Sequence, residues 1–395
     1  LEHGADLGIS GEGRWPSEGD NNESVYEYGS RVADSLQTAL KDGIMFGPFE
    51  RHQLPWEVFK CSPMTVRLKP NGAARIIMDL SYPHGVGLGE GMVCSPNMGM
   101  EEFEEFEPVS MTGDSKWRRC MHRAGRPAAF LKADWDMAYK HVSVRTEDHH
   151  LQVVEFCGRY FVEKCLTFGG GNSPTLYHLP ASLLKTMAEV ETGMDPRQNV
   201  MQLDDNCATD RLGSARLTMY GIVYRELAEE MGIRLASEDN PAKAFPPSVR
   251  GEILGLIYDG VKWTWKIPEG KSTRLLVLLG KSIREGKLLN GEAMQLAGKL
   301  NHYSNLVGGQ FERCLLIHLV KDKAAKKEEV TIGKQARSQM VWWLLNLRAL
   351  ELEGRLIPDP DRYFQQGALV LYPDAAGGAS SDSRKGWGCC HPGKK

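Results

Sequence analysis

The segment Asn199-Val-Met-Gln-Leu-Asp-Asp-Asn206 places two adjacent carboxylates, Asp204 and Asp205, at the end of a short apolar run. The pattern over residues 200–210 predicts a tight hairpin that carries both carboxylates at its turn. Like charges repel at this separation, so the pair needs either a compensating cation or full solvation. A divalent metal ion is the first explanation of the pair, and a solvated surface turn is the second.

A third carboxylate stands at a comparable position earlier in the chain. Residues 128–144 (AAFLKADWDMAYKHVSV) begin as an apolar strand and continue into a turn, and Asp134 stands where the strand should end. Carboxylates at the ends of two adjacent strands can hold two divalent cations about 4 Å apart, an arrangement that serves in-line phosphoryl displacement. Mg²⁺ suits such a site because it binds a few carboxylates and keeps positions for water and phosphate. Either aspartate alone is typical of a surface turn.

Composition limits the class of protein. The chain has 395 residues, of which 42% are hydrophobic and 25% charged, which indicates a globular protein of two or three domains. A formal net charge of −3 excludes a uniformly basic nucleic-acid binder. Basic residues are concentrated between Val261 and Val330, where Lys and Arg outnumber Asp and Glu by 13 to 7. This local excess favours either contact with phosphates or a solvated helical face.

Cysteine usage and hydropathy bear on the compartment. The nine cysteines form no Cys-x-x-Cys pair, which indicates free thiols in a reducing, intracellular compartment, either cytoplasm or nucleus. No signal peptide and no apolar run of about 20 residues is present, so no membrane partner is expected. The start at Leu1 and the abrupt end at Lys395 suggest a piece of a longer reading frame.

Strand and helix patterns alternate without regular βαβ spacing, which predicts an α+β fold. Residues 1–24 are rich in Gly, Glu and Asn, and we expect a disordered tail there. Hairpins are predicted over 64–81 (around Asn71-Gly72), 149–168 and 200–210. Helices are predicted over 25–40, 176–190 and 216–233, followed by a basic helical segment to about residue 350. A strand pattern returns at residues 367–378.

Several motifs, taken in order, resemble those of a reverse transcriptase, the right-handed palm polymerase of retroelements. RLKPNGAARIIMDLS resembles the fingers hairpin, KADWDMAYKH the first catalytic motif, LTFGGGNSPTLYHL the Gly-Ser-Pro motif, and QLDD the second catalytic motif. AEEMGIRLASEDNPAK and EILGL resemble the next motif and the primer grip. The resemblance covers about residues 24–304. The DLSYPHG and AYKHVSV segments, with Phe168 and Leu203, look most like the tyrosine-recombinase (DIRS-like) retrotransposon group.

This resemblance implies a domain organisation. Residues 25–260 would form the fingers and palm, the palm being a ferredoxin-like antiparallel sheet with helices. Residues 261–350 would form a helical, basic thumb or connection, and residues 366–395 the truncated start of a ribonuclease H-like β segment. Asp374 would be the first acidic ligand of that last domain. Its other ligands would lie beyond Lys395, so we expect no ribonuclease H activity from this chain.

The resemblance also implies roles for single residues. Asp134, Asp204 and Asp205 would be the catalytic carboxylates and the ligands of two Mg²⁺ ions, for which Mn²⁺ can substitute. The incoming nucleotide would contact Lys69, Arg75, Tyr139, Phe168, Gly169 and Lys243.

Each nucleotide-binding assignment has a physical reading and an alternative. Arg75 offers a planar fork of donors for phosphate and Lys69 a point charge, although both could be exposed hairpin charges. Tyr139 would be a wall against a ribose 2′-hydroxyl, or else a buried tyrosine of a strand-to-helix turn. Gly169 permits close approach of the backbone to a base pair. Lys243 either assists proton transfer to pyrophosphate or is simply solvated.

The function implied is RNA-directed DNA polymerisation. The partners would be an RNA or DNA template with a primer, dNTPs, and other retroelement-encoded domains such as ribonuclease H and a recombinase or integrase. A catalytically inactive palm-fold module for RNA binding or assembly is the alternative from another class. A DNA-templated or protein-primed polymerase of the same fold is a third possibility. Gln202 and Asn172 depart from the best-known motifs, but neither is expected to bind metal.

Overall fold

The computed structural model describes residues 3–11, 16–69, 72–84, 95–101, 113–307, 328–358, 372–374 and 388–390. The helices are α1 (Glu23–Glu27), α2 (Gly29–Lys41), α3 (Gly113–Ala124), α4 (Ser173–Thr192), α5 (Ala215–Glu230), α6 (Lys271–Glu285), α7 (Asn290–Tyr303) and α8 (Lys334–Leu352). The strands of the first half are β1 (Ser17–Glu18), β2 (Met45–Phe49), β3 (Lys60–Cys61), β4 (Met64–Leu68), β5 (Ala74–Met78), β6 (Ala128–Asp134), β7 (Val153–Phe156) and β8 (Arg159–Glu163). Those of the second half are β9 (Asn199–Gln202), β10 (Asp205–Arg211), β11 (Phe245–Ser248), β12 (Arg250–Ile253), β13 (Leu256–Asp259), β14 (Thr264–Lys266), β15 (Lys287–Leu289), β16 (Glu329–Thr331), β17 (Arg355–Leu356), β18 (Tyr372–Asp374) and β19 (Gly388–Cys390).

The chain divides into two compact units whose segments alternate along the sequence. The first unit contains Leu1–Gly113, Leu131–Ala208 and Ala215–Pro247. The second contains Asp114–Phe130, Thr209–Ser214 and Ser248–Lys395. The division into fingers and palm (residues 25–260), thumb or connection (261–350) and a ribonuclease H-like segment (366–395) stays a prediction. Mixed helices and sheets agree with the expected combination of α and β structure.

A sheet of order β11-β6-β10-β9 carries the predicted carboxylates of the first unit. Strand β6 lies between two neighbours and is buried along nearly its whole length, which explains the apolar run at its start, residues 128–131. Strands β9 and β10 pair antiparallel, with Gln202 opposite Asp205. That register leaves Leu203 and Asp204 as a two-residue turn, and it confirms the hairpin predicted at this place.

The hairpin of β4 and β5 is also confirmed, in register from Met64 opposite Met78 to Leu68 opposite Ala74. Its inner face packs with α1 and α2 in one apolar core that includes Val32 and Met64. Asn71 of the predicted turn lies outside the described residues. The third predicted hairpin is formed by β7 and β8 within a sheet of order β1-β3-β7-β8-β2. Its turn residues, Cys157 and Gly158, both have positive φ (52° and 76°), as a type I′ turn requires.

The amino-terminal segment differs from its prediction. Ala5, Leu7 and Ile9 are buried, and the Ala5 N–H donates to the Ser143 carbonyl oxygen at 2.7 Å. Further along, β1 pairs with β3 and α1 begins at Glu23. The period-two alternation of apolar residues at 5, 7 and 9 is a strand signal that the surrounding glycine-rich composition conceals. The structure therefore contradicts a disordered tail over the described parts of residues 1–24, whereas residues 1–2 and 12–15 lie outside them.

The second unit contains α6, α7 and α8 together with a sheet of order β12-β13-β14-β17. Large aromatic side chains form much of its core, among them the fully buried Trp263, Trp265 and Trp343. Residues 308–327 of the predicted thumb lie outside the described part of the chain, and so does most of the predicted ribonuclease H-like segment. Within that segment, β18 and β19 pair antiparallel. No helix in the described ranges has both the length and the hydropathy needed to cross a membrane.

Candidate active site

Three carboxylates meet at the end of the β6-β10-β9 strands. Asp134 is the last residue of β6, Asp204 occupies the hairpin turn, and Asp205 begins β10. One carboxylate oxygen from each lies within 4.8 Å of the other two. The sequence prediction that these residues come together is thus matched by the geometry of the first unit.

Backbone contacts fix this arrangement. The Trp135 N–H donates to the Asp204 carbonyl oxygen at 3.2 Å, which joins the end of β6 to the hairpin turn. The first residue of the two-residue turn needs positive φ, and Leu203 adopts 51° there. Met137, just after Asp134, has a φ of 55° and begins the short 3₁₀ turn Ala138–His141. Positive φ is unusual for bulky side chains, and such residues concentrate at functional sites.

Two lysines accompany the carboxylates. Lys132 Nζ lies 3.0 Å from Asp205 Oδ1, and Lys243 Nζ lies 2.5 Å from Asp134 Oδ2. Lys132 and Asp134 are two residues apart on one strand, so their side chains leave the same face of β6. Burial lowers the pKa of Lys132, whereas the Asp205 carboxylate and other nearby groups raise it, and the net direction is upward. The ammonium of Lys132 is therefore retained at neutral pH.

Asp134 has the environment of a carboxylate that can bind a cation. Asp134 is 1% exposed to solvent, and its Oδ1 has no hydrogen-bond partner among the described residues. Burial raises its pKa to about 7, with Lys243 opposing and the carboxylates of Asp204 and Asp205 reinforcing the rise. A buried charge normally requires a partner. Two oxygens that each lie about 2.1 Å from the same Mg²⁺ ion are at most about 4.2 Å apart. The carboxylate oxygens of the triad would therefore need to move only slightly closer together to bind such an ion.

Three predicted nucleotide-binding residues form a continuous row beside the triad. The Arg75 guanidinium carbon lies 5.2 Å from the centroid of the Phe168 ring. The Phe168 and Tyr139 rings are 5.0 Å apart, and Tyr139 meets Tyr177 edge-to-face at 5.6 Å. Burial, and then the nearby Asp204 carboxylate, raises the pKa of Tyr139. This row connects the β4–β5 hairpin to the carboxylates through aromatic contacts.

The glycine-rich loop that follows Phe168 is bound to neighbouring backbone. A Cβ built on Gly169, whose φ is +115°, would lie 2.0 Å from the Met78 carbonyl oxygen of β5. The Asn97 amide donates to the Gly169 carbonyl oxygen at 2.8 Å and accepts from the Gly171 N–H at 2.8 Å. The Asn172 amide donates to the Leu7 and Glu101 carbonyl oxygens. Asn172 therefore has a structural role in anchoring the amino-terminal segment.

Two predicted site residues are not brought to the triad by any described contact. Lys69 is exposed at the end of the β4–β5 hairpin, where its backbone N–H donates to the Ala73 carbonyl oxygen at 2.8 Å. Asp374 ends β18 opposite Gly388, and its side chain is not among the described ones. Both assignments remain predictions.

Lys132 belongs to the site, although the sequence motifs did not predict it. The available signal was a lysine inside a strand that is otherwise apolar, because a buried ammonium requires a charged or polar partner. Nor did the motifs predict a buried polar cluster on the other face of the hairpin. Asn206 Nδ2 donates to Asn199 Oδ1 at 3.0 Å, and the Tyr220 hydroxyl donates to Asn206 Oδ1 at 3.0 Å.

Comparison with known proteins gives a fold. No protein-family model and no curated protein sequence matches the chain. Solved structures of a foamy viral protease-reverse transcriptase do match. For the complex with an RNA/DNA hybrid the TM-score is 0.58 at 12% identity, and the match covers 89% of this chain and 40% of the viral chain. A complex with dsDNA has a TM-score of 0.56 at 14% identity, covering 89% and 62%. A further complex with dsDNA, of the form named dRH, has a TM-score of 0.57 at 11% identity, covering 88% and 52%.

The chain therefore has a reverse transcriptase-like, polymerase-like fold. It spans between 40% and 62% of the length of these matched chains. Membership of the DIRS-like group is not addressed by these neighbours and stays a prediction.

Proposed function

We propose that this chain is the polymerase part of a retrotransposon reverse transcriptase, a nucleotidyltransferase that adds dNTPs to a primer 3′-hydroxyl opposite an RNA template. The observation that carries the proposal is the convergence of Asp134, Asp204 and Asp205 at adjacent strand ends of a reverse transcriptase-like fold. The buried Oδ1 of Asp134, which has no hydrogen-bond partner in the described part of the chain, supports a cation site over a solvated turn.

The carboxylates would hold the cofactor, and the neighbouring residues would bind the substrate. Two Mg²⁺ ions, or Mn²⁺ in their place, would supply activation of the primer hydroxyl and neutralisation of the triphosphate when bound. The Arg75 guanidinium would donate to phosphate oxygens, for which its planar fork is suited. The Tyr139 ring would stand where a ribose 2′-hydroxyl would otherwise lie, and would select deoxynucleotides.

Lys243 is suited to an exchangeable role. Its side chain is 47% exposed while its ammonium contacts Asp134. It could therefore leave that carboxylate and neutralise charge on the departing pyrophosphate. Most of the catalytic effect would come from positioning and charge stabilisation, as in phosphoryl transfer generally.

The proposal extends to the domains and partners. Residues 25–260 would be fingers and palm, residues 261–350 a thumb or connection, and residues 366–395 the beginning of a ribonuclease H-like domain. The matched foamy viral structures are complexes with dsDNA or an RNA/DNA hybrid, which supports a primer–template as partner here. Phosphate contacts by the basic thumb would make duplex binding strongly salt-dependent. The compartment would be intracellular.

The test is dTTP incorporation on poly(rA) primed with oligo(dT), with and without Mg²⁺. The wild type is compared with Asp204→Asn and with Asp34→Asn, a control that neutralises an exposed carboxylate of α2. We expect Mg²⁺-dependent incorporation by the wild type and by Asp34→Asn, and a loss of about 10³-fold or more for Asp204→Asn. A poly(dA) template under the same conditions separates RNA-directed from DNA-directed synthesis.

Binding of a fluorescently labelled primer–template is measured for the same proteins. A wild type that binds the duplex, is folded, and incorporates no nucleotide would contradict the enzymatic proposal. That result would favour the inactive RNA-binding or assembly module instead.

A further inference from the structure

The two lysines of the site differ in their access to solvent. The Lys132 side chain is 6% exposed, and its ammonium contacts both Asp205 Oδ1 at 3.0 Å and the Ala242 carbonyl oxygen at 3.1 Å. The Lys243 side chain is 47% exposed and contacts Asp134. A buried ammonium that left its partners would lose contacts that no water replaces, whereas an exposed one can move into solvent. Only Lys243 can therefore be displaced at small cost.

The charges of the site indicate how a cation would be shared. When all three carboxylates are ionised, the two ammonium groups leave the site with one net negative charge. Displacement of Lys243 raises this to two, the charge of one divalent cation, while Lys132 still compensates Asp205. Within the described part of the chain, Asp204 has no basic side chain at ion-pair distance. Asp134 and Asp204 are consequently the carboxylates left to attract a cation.

We infer that Lys132 is a positioning residue, the permanent counter-ion of Asp205, and that it makes Asp205 a weaker cation ligand than Asp134 or Asp204. This inference rests on the proposed function and refines the prediction that Asp134, Asp204 and Asp205 are all metal ligands. One oxygen of Asp205 is occupied by the Lys132 ammonium, so Asp205 orients the site and contributes little to cation affinity. By neutralising the Asp205 carboxylate, Lys132 limits the negative charge of the site.

The test is a titration of each protein with Mn²⁺, without nucleotide or primer–template. Electron paramagnetic resonance measures the concentration of free Mn²⁺ at each step. Asp204→Asn should weaken Mn²⁺ binding by about 10²-fold or more, whereas the double variant Lys132→Met/Asp205→Asn, which removes the ion pair without changing the net charge, should change it by less than about 3-fold. Lys132→Met should tighten binding by about 3- to 30-fold, because it frees the Asp205 carboxylate. In the Lys132→Met background, Asp205→Asn should then weaken binding by about 10-fold or more.

The control variants separate positioning from simple core packing. Lys185→Met removes a largely buried lysine that lies away from the carboxylates and pairs with Glu189 at 2.7 Å on α4, and it should leave Mn²⁺ affinity unchanged. Lys132→Arg retains the charge and should bind Mn²⁺ like the wild type. Because Lys132→Met leaves the half-buried Asp205 carboxylate unpaired, the Lys132→Met/Asp205→Asn double variant is included as a neutral pair, and circular dichroism in EDTA verifies folding of each protein.

Each result has one meaning. If the Lys132→Met/Asp205→Asn double variant weakens Mn²⁺ binding as much as Asp204→Asn, Asp205 is a full ligand and the inference is wrong. It is equally wrong if Lys132→Met does not tighten Mn²⁺ binding. If the wild type binds no Mn²⁺ at all, the proposed polymerase function fails together with it.

Discussion

Gly169 lies so close to strand β5 that a Cβ on it would be 2.0 Å from the Met78 carbonyl oxygen. Its φ of +115° also belongs to a region that side chains rarely adopt. Gly169→Ala should therefore push the glycine-rich loop away from β5, the strand that carries Arg75. Because Phe168 precedes this glycine and contacts Arg75, we expect kcat/KM for dTTP to fall by about 10²-fold.

The matched control is Gly29→Ala at the first position of α2. A Cβ there has only the Phe156 ring edge near it, at 4.0 Å. Thermal unfolding and incorporation should be unchanged in this variant. Full activity of Gly169→Ala would show that the loop and β5 can separate without consequence for the substrate site.

Tyr139 provides a test of sugar selection. Its ring is fixed between Phe168 at 5.0 Å and Tyr177 at 5.6 Å, and it lies near the Asp204 carboxylate. Tyr139→Ala should remove the wall and raise the use of rUTP relative to dTTP by about 10- to 200-fold, measured as a ratio of kcat/KM values. Tyr139→Phe retains the ring and should keep the wild-type ratio. An unchanged ratio in the alanine variant would mean that the ring does not face the ribose.

Local patterns predicted the elements around the site correctly, because hairpins depend on neighbouring residues. Alternation and turn residues were sufficient for the β9–β10 hairpin that carries Asp204, and for the β7–β8 turn at Cys157-Gly158. The strand end at Asp134 followed from the apolar run before it. These features need no knowledge of distant partners.

Contacts between distant segments were not predictable in the same way. The partner of Lys132 is Asp205, on a different strand, and only the assembled sheet places them 3.0 Å apart. The docking of Leu7 likewise depends on Asp148 and Asn172, whose side chains bind its backbone N–H and carbonyl. Composition alone described this segment as a tail, since hydrogen bonds to distant residues leave no local pattern.

The pKa of Asp134 predicts how stability varies with pH when divalent cations are absent. Burial raises this pKa from 3.8 to about 7 in the folded protein, so the folded state binds the proton more strongly than the unfolded state. The resulting stabilisation is complete below the unfolded value, and it is lost as the pH rises through the folded value. The free energy of unfolding of the wild type should therefore fall relative to that of Asp134→Asn between about pH 4 and pH 8.

Urea unfolding in EDTA measures this difference. At the upper end of the range, Asp134→Asn should be more stable than the wild type by about 1–4 kcal/mol, because asparagine carries no charge to bury. Asp34→Asn, at an exposed position, should show no such trend. A difference between wild type and Asp134→Asn that does not vary with pH would contradict the raised pKa.

The buried polar cluster behind the hairpin should contribute to the stability of the fold without affecting its affinity for cations. The Tyr220 hydroxyl accepts from Asn199 Nδ2 at 2.7 Å and donates to Asn206 Oδ1 at 3.0 Å, and all three side chains are buried. Tyr220→Phe leaves both amides one hydrogen bond short, so the free energy of unfolding should decrease by about 1–3 kcal/mol. Asn206 and Asp205 are successive residues of β10 and point to opposite faces, so Mn²⁺ affinity should change by less than about 3-fold.

Tyr26→Phe is the control for this last prediction, since Tyr26 is 59% exposed and its substitution should cost less than about 0.5 kcal/mol. Chemical unfolding and Mn²⁺ titration on the same samples give both quantities. If Tyr220→Phe weakened Mn²⁺ binding as strongly as it lowered stability, the cluster would be setting the position of the Asp204 turn itself. The two faces of the hairpin would then act as one unit, and the carboxylates would depend on the buried amides for their geometry.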